Sequence, residues 1–143
     1  MIYEAATATD NCGFANVTEV RDTTLGTCAN EFSILRTFTA TDLCGNTATA
    51  TQTITVTDHV NPEFTHVPAD YSASCDEVLV YGSAIATDNC GTPNVTEVRD
   101  TLPGVCENAF TIRRTFTATD LCGNTATAVQ TISVTDLIAP TFT

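Results

Sequence analysis

The stretch Arg114-Thr-Phe-Thr-Ala-Thr-Asp-Leu-Cys-Gly-Asn-Thr-Ala-Thr-Ala-Val-Gln-Thr-Ile-Ser-Val-Thr-Asp136 decides the fold. Threonine stands at nearly every second position on either side of Asp120-Leu-Cys-Gly-Asn124. Strict alternation is the signature of half-buried strands, and a short polar segment with glycine is a turn signal. In Thr125–Thr135 one face is Ala126, Ala128, Gln130, Ile132 and Val134, and the other is threonine with Val129. β-Branched threonine suits an exposed strand face and resists helix formation. The stretch therefore predicts two strands joined by a tight turn.

It occurs twice almost letter for letter, as Arg36–Asp58 and Arg114–Asp136. An offset of 78 residues, which sets Asp10 against Asp88, aligns Tyr3–Thr65 with Tyr81–Thr143 without a gap, and about seven in ten aligned residues are identical. A second phrase, Ala-Thr-Asp-Asn-Cys-Gly, precedes the first in both copies, at Ala8–Gly13 and Ala86–Gly91. Such self-similarity marks tandem units. Residues 1–60 form a first, N-terminally truncated repeat and 61–138 a complete second one, while 139–143 match the opening of that second repeat. Met1 falls in mid-repeat, which suggests a piece of a longer array. Asp58-His-Val-Asn-Pro62 joins the copies, and its proline stiffens the join.

Within a unit the pattern is all-β. Phe64–Ser74 and Leu79–Thr87 read as strands around a polar Cys75-Asp-Glu turn, followed by Asn94–Asp100, Phe110–Thr119 and Thr125–Thr135. No segment has helical periodicity. The expected fold is two tandem immunoglobulin- or fibronectin-III-like antiparallel β-sandwiches stapled by disulfides.

The chain has 143 residues, five arginines, no lysine, seventeen acidic residues and a formal charge of −12. That charge disfavours nucleic acid and anionic membranes as partners, and no apolar run approaches a membrane span. It is compatible with divalent cations. Seven cysteines in a chain with two histidines point to an oxidising compartment. The complete copy has Cys75, Cys90, Cys106 and Cys122; the first has Cys12, Cys28 and Cys44, since the counterpart of Cys75 falls before residue 1. Four cysteines allow three connectivities. Sandwich topology favours one staple per pole: Cys90–Cys122, Cys75–Cys106 and, in the first copy, Cys12–Cys44, with Cys28 left free. There is no Cys-x-x-Cys and no paired short spacing of a zinc site.

The Asp-x-Cys-Gly phrases, with Gln130-Thr-Ile and Val134-Thr-Asp136, resemble the tandem repeats of giant Bacteroidota cell-surface proteins, including gliding-motility adhesins of the SprB type. They are also similar to HYR modules, a fibronectin-III-like group with a comparable Asp-x-x-Gly-Asn hairpin. The resemblance covers nearly the whole chain. It implies an extracellular, bacterial cell-surface location, and a role as stalk or adhesive array with neighbouring repeats as partners. Phe38 and Phe116 depart from it where many such repeats carry Trp.

Three groups of residues are candidates for a site. If Cys90 and Cys122 are bonded, Asp88, Asn89, Asp120 and Asn124 come together near Asp58 of the joining segment, and Asp10, Asp42 and Asn46 repeat them. These are hard oxygen ligands of the kind Ca²⁺ takes in sixes to eights, or they are caps of their own turns. Arg114 shares a strand face with Ile112 and Phe116, so it needs a partner; Glu97 is the expected one, and Glu19 with Arg36 repeats the pair. The threonine rows could meet glycans or proteins, which is the alternative to a spacer role. Catalysis is not expected. His59 does not recur in the second copy, His66 has no counterpart within the chain, and no nucleophile, phosphate or zinc motif is present.

Overall fold

The structure is a computed structural model and describes residues 3–142. Every regular element among them is a β-strand. The chain divides into two compact units, Met1–Asp58 and His59–Thr143.

The first unit contains β1 (Thr9–Asp10), β2 (Gly13–Phe14), β3 (Asn16–Leu25), β4 (Phe32–Thr41) and β5 (Thr47–Val56). β1 and β2 form a small antiparallel pair, and β3-β4-β5 form a three-stranded antiparallel sheet. The second unit contains β6 (Glu63–His66), β7 (Tyr71–Ser74), β8 (Ile85–Thr87), β9 (Asn94–Pro103), β10 (Phe110–Thr119) and β11 (Thr125–Thr135). Its main sheet has the order β7-β11-β10-β9, and β6 pairs with β8 separately. All main-sheet pairings are antiparallel except β7 with β11, which is parallel.

β10 and β11 begin and end where the threonine alternation places them. Their register sets Ile112 opposite Ile132, Arg114 opposite Gln130, Phe116 opposite Ala128 and Ala118 opposite Ala126. Since side chains alternate faces, these residues share one face and the threonines the other. The inner face carries the core, in which Ile112, Ile132 and Val134 are packed by Tyr71, Leu79 and Phe110.

Two expected strands are broken. Phe64–Ser74 splits into β6 and β7 because Pro68 has no N–H to give a ladder. Of Leu79–Thr87 only Ile85–Thr87 is a strand. The backbone before it is satisfied by side chains instead. The Tyr71 hydroxyl accepts from Val80 N–H and donates to Val80 C=O, both at 3.0 Å, and Gly82 C=O accepts from Arg114 Nη2 at 2.8 Å.

The Asp-Leu-Cys-Gly-Asn turn has the same construction in both units. Asp120 Oδ1 accepts the backbone N–H of Cys122 at 2.8 Å and of Asn124 at 2.9 Å, while Oδ2 accepts the Asn124 amide at 2.8 Å. Asp42 does the same for Cys44 and Asn46 at 2.7–2.8 Å. Gly45 and Gly123 both sit at φ 88°, a left-handed backbone that a Cβ penalises. Gly123→Ala is expected to lower unfolding stability by about 1–2 kcal/mol, measured by urea denaturation. No change would mean that the turn relaxes to another conformation.

Candidate functional site

The inner face of each sheet carries a guanidinium where a hydrophobic residue would be expected. Arg114 is 1 % exposed. Its Nε donates to Glu97 Oε1 at 2.7 Å, and Nη2 donates to Glu97 Oε2 at 2.9 Å and to Gly82 C=O at 2.8 Å. Nη1 donates to Gln130 Oε1 at 2.5 Å. The guanidinium carbon lies 4.8 Å from the Phe116 ring centroid and 5.3 Å from that of Tyr81. Four hydrogen bonds and two aromatic rings thus hold the cation away from water.

The first unit repeats the set. Arg36 Nε donates to Glu19 Oε1 at 2.7 Å and Nη2 to Oε2 at 3.2 Å. Nη1 donates to Gln52 Oε1 at 2.6 Å and Nη2 to Glu4 C=O at 2.9 Å. Phe38 and Tyr3 lie at 4.7 and 5.3 Å.

Sequence reasoning brings together Glu97 with Arg114 and Glu19 with Arg36, and the structure places each pair in contact. It missed Gln52, Gln130, Tyr3, Tyr81 and the second arginine. Arg99 stands directly opposite Arg114, and Arg21 opposite Arg36. Two like charges in register repel, and the shared carboxylate resolves this. Arg99 also bonds Glu97, and Arg21 Nε lies 2.5 Å from Glu19 Oε1. The recurrence of Tyr, Glu, Arg, Arg and Gln at one offset was the signal that could have found the whole group.

The hydrogen bond from Arg114, then that from Arg99, holds the Glu97 carboxyl down at about 2 from an ordinary 4.5. Arg36 and then Arg21 hold Glu19 at about 2 in the same way. A carboxylate depressed on folding stabilises the folded state above its unfolded value. That contribution is lost as pH falls through the folded value.

The acidic turns are committed largely to their own backbones. Asp10 Oδ2 accepts Cys12 N–H at 2.9 Å, and Asp88 Oδ2 accepts Cys90 N–H at 2.8 Å. The Asn46 amide, with backbone N–H groups, lowers the Asp42 pKa. Burial pushes Asp120 up, but the Asn124 amide and the turn N–H groups outweigh it and the net shift is downward. Asp88 Oδ1 is buried with no hydrogen-bond partner among the described residues. Asn89 turns its amide to the Cys90 sulfur at 2.9 Å. Asp58, the last residue of the first unit, is buried. In the first unit the two turns do converge: Asp10, Cys12, Gly13, Phe14, Asp42, Leu43 and Cys44 line one cleft of about 170 Å³.

The expected cysteine pairing is not the one built. Cys12, Cys44, Cys75 and Cys106 are thiols, whereas Cys28, expected to be free, and Cys122, expected to bond Cys90, are in the disulfide state. Cys75 and Cys106 do lie at one end of the sheet, next to Ser74 and in the β9–β10 connection. However, β11 separates β7 from β10, so two strand spacings of about 4.8 Å each intervene. A disulfide needs Cα atoms within about 7 Å. Cys12 and Cys44 share the cleft walls and are both exposed residues.

Glu97→Ala strands a buried guanidinium and is expected to cost about 3–5 kcal/mol. Arg114→Met keeps the packing volume and leaves Glu97 with Arg99, so it should cost clearly less. Equal losses in denaturant titrations would contradict the clamp. The wild-type denaturation midpoint should fall between pH 4.5 and about 2, and less so in Glu97→Gln. Alkylation without reductant, read by peptide mapping, is expected to modify Cys12, Cys44, Cys75 and Cys106 and to spare Cys28 and Cys122. Comparison of the chain with protein-family models finds no match, and comparison with curated proteins finds none either.

Proposed function

We propose that this chain is a structural repeat of a long extracellular adhesin on a bacterial surface, with each unit an immunoglobulin- or fibronectin-III-like sandwich serving as a stalk element. The observation that carries this is what the two copies share. Tyr3/Tyr81, Glu19/Glu97, Arg36/Arg114, Gln52/Gln130 and the Asp-Leu-Cys-Gly-Asn turns are identical, and all of them hold the sheet or close its turns. The copies differ at Phe14-Ala15 against Thr92-Pro93 and through Leu25–Glu31 against Pro103–Ala109. These segments include the β3–β4 and β9–β10 connections, where a duplicated binding site would be expected to stay fixed.

The resemblance to surface adhesin repeats supports the placement outside the cell, with attachment or gliding as the process served. Recognition of a glycan or protein through the exposed threonine rows is the competing role, and no catalytic part is assigned. An antibody raised against the chain is expected to label intact cells of the source organism and to lose its target on mild protease treatment. The isolated chain is expected to show no saturable binding on a glycan array. Label confined to permeabilised cells would overturn the location, and saturable glycan binding would overturn the spacer role.

Calcium rigidification is a second reading with one observation in its favour, the buried Asp88 Oδ1 without a hydrogen-bond partner among the described residues. Asp58, Asp88, Asn89, Asp120 and Asn124, with Asp10, Asp42 and Asn46, are the oxygen donors it would draw on. Calcium should then raise the melting temperature reversibly with EDTA, and Asp88→Asn should remove the rise. An unchanged melting temperature would exclude it.

A further inference from the structure

Each main sheet ends on one side at a long strand. β9 pairs with β10 and β3 with β4, and among the described residues no strand pairs with the other side of either. Both strands are ten residues long. The eight residues Asn-Val-Thr-Glu-Val-Arg-Asp-Thr are identical in the two, as Asn16–Thr23 and Asn94–Thr101. An edge of this length presents a row of unpaired N–H and C=O groups, a template for another chain.

Which groups face outward follows from the ladder. Gly104 N–H donates to Ala109 C=O at 2.7 Å, one step beyond the Pro103–Phe110 pair. Bonding alternates along an antiparallel strand, so the even-numbered residues of β9 are committed to β10. Val95, Glu97, Arg99 and Thr101 turn their N–H and C=O groups away from it. Pro103, which has no N–H to give, falls on the same outward set and ends the row. In the first unit Gly26 N–H donates to Glu31 C=O at 2.7 Å, and by the same count Val17, Glu19, Arg21 and Thr23 face outward.

The outward row is complementary to itself. Antiparallel pairing of two β9 strands centred on Val98 sets Val98 opposite Val98, Glu97 opposite Arg99 and Val95 opposite Thr101. The Glu–Arg pair recurs on both sides of the two-fold axis, and opposite charges directly across a ladder favour pairing. A shift of two residues in one direction sets Glu97 opposite Glu97, and in the other Arg99 opposite Arg99. Like charges penalise both, so one register is selected. The Arg99 side chain is 46 % exposed and within reach of a partner. Val98, 62 % exposed, would stand in a non-hydrogen-bonded pair, where facing side chains come closest.

We infer that the β9 edge is an isologous interface for a second copy of this chain, paired antiparallel about Val98, and that β3 offers the same edge about Val20. Each copy then gives and receives the same main-chain bonds, as two-fold symmetry requires. The formal charge of −12 opposes association. At about 0.15 M salt, however, repulsion is screened beyond about 8 Å, whereas the Glu97 and Arg99 pairs would be in contact. The charges that protect an edge against indiscriminate pairing here specify one partner. The pairing needs only the edge and is independent of where the protein resides.

Sedimentation velocity of the full chain, with its exposed thiols capped by iodoacetamide, tests this. The average mass should rise with concentration, with a midpoint below about 1 mM. Thr23→Pro/Thr101→Pro removes one outward donor from each edge, at positions where proline is tolerated. It should raise the midpoint about tenfold or more with circular dichroism unchanged. Val20→Lys/Val98→Lys leaves the backbone intact but sets like charges across the axis, and should also weaken association, by about fivefold. Independently of any variant, amide exchange followed by NMR should slow with concentration at Val95, Glu97, Arg99 and Thr101. A constant mass up to about 1 mM, association unaffected by the lysine pair, or concentration-dependent protection that spares these four amides would overturn the inference.

Discussion

A buried guanidinium held by one carboxylate is the constraint on which each main sheet depends. Arg114 occupies the central strand between Ile112 and Phe116, so its charge cannot reach water without dismantling the inner face. An uncompensated charge there would cost several kcal/mol. Glu97, Gln130 and Gly82 C=O remove that cost by hydrogen bonding, and each contact ties a different part of the unit to β10. Glu97 is on β9, Gln130 on β11, and Gly82 in the irregular segment before β8. The bonds thus fix register across three strands and pin a segment that has no ladder of its own. Tyr81 and Phe116 complete the enclosure, with the ring faces lending a further attraction to the cation.

The same constraint explains why two arginines can stand in register. Arg99 and Arg114 face each other across β9 and β10, an arrangement that would be unfavourable alone. Glu97, two residues along β9 from Arg99 and on the same face, is shared between them. It remains ionised well into acid because two donors hold it. The turns work on a similar principle at smaller scale. One aspartate satisfies three donors of its own loop, and glycine supplies the left-handed step that lets the chain reverse.

The two units also differ in how deeply the same side chains are buried. With β7 in place, Ile132, Val134, Phe116 and Gln130 are buried. The corresponding Ile54, Val56 and Phe38 are only half-buried and Gln52 is exposed. In the second unit Tyr71 and Leu79 pack against this core from the stretch between β6 and β8.

Much of this was legible in the residues themselves. The alternation of threonine with alanine, isoleucine and valine determined the strands β10 and β11 and the face each residue takes, because a period of two admits no other arrangement on a pleated sheet. The position of Arg114 on the apolar face required an acidic partner, and Glu97 was the residue of suitable type on the neighbouring strand. The tertiary structure decided what depends on distance through space. It brought Gln130, Tyr81 and the Gly82 carbonyl to the guanidinium from sequence positions with no local signal. It set Cys75 and Cys106 at one end but two strands apart, since sharing a pole fixes height along a sheet and not separation across it. It also decided that β7 adds to β11 in parallel, a pairing for which four residues carry too short a pattern to be read in advance.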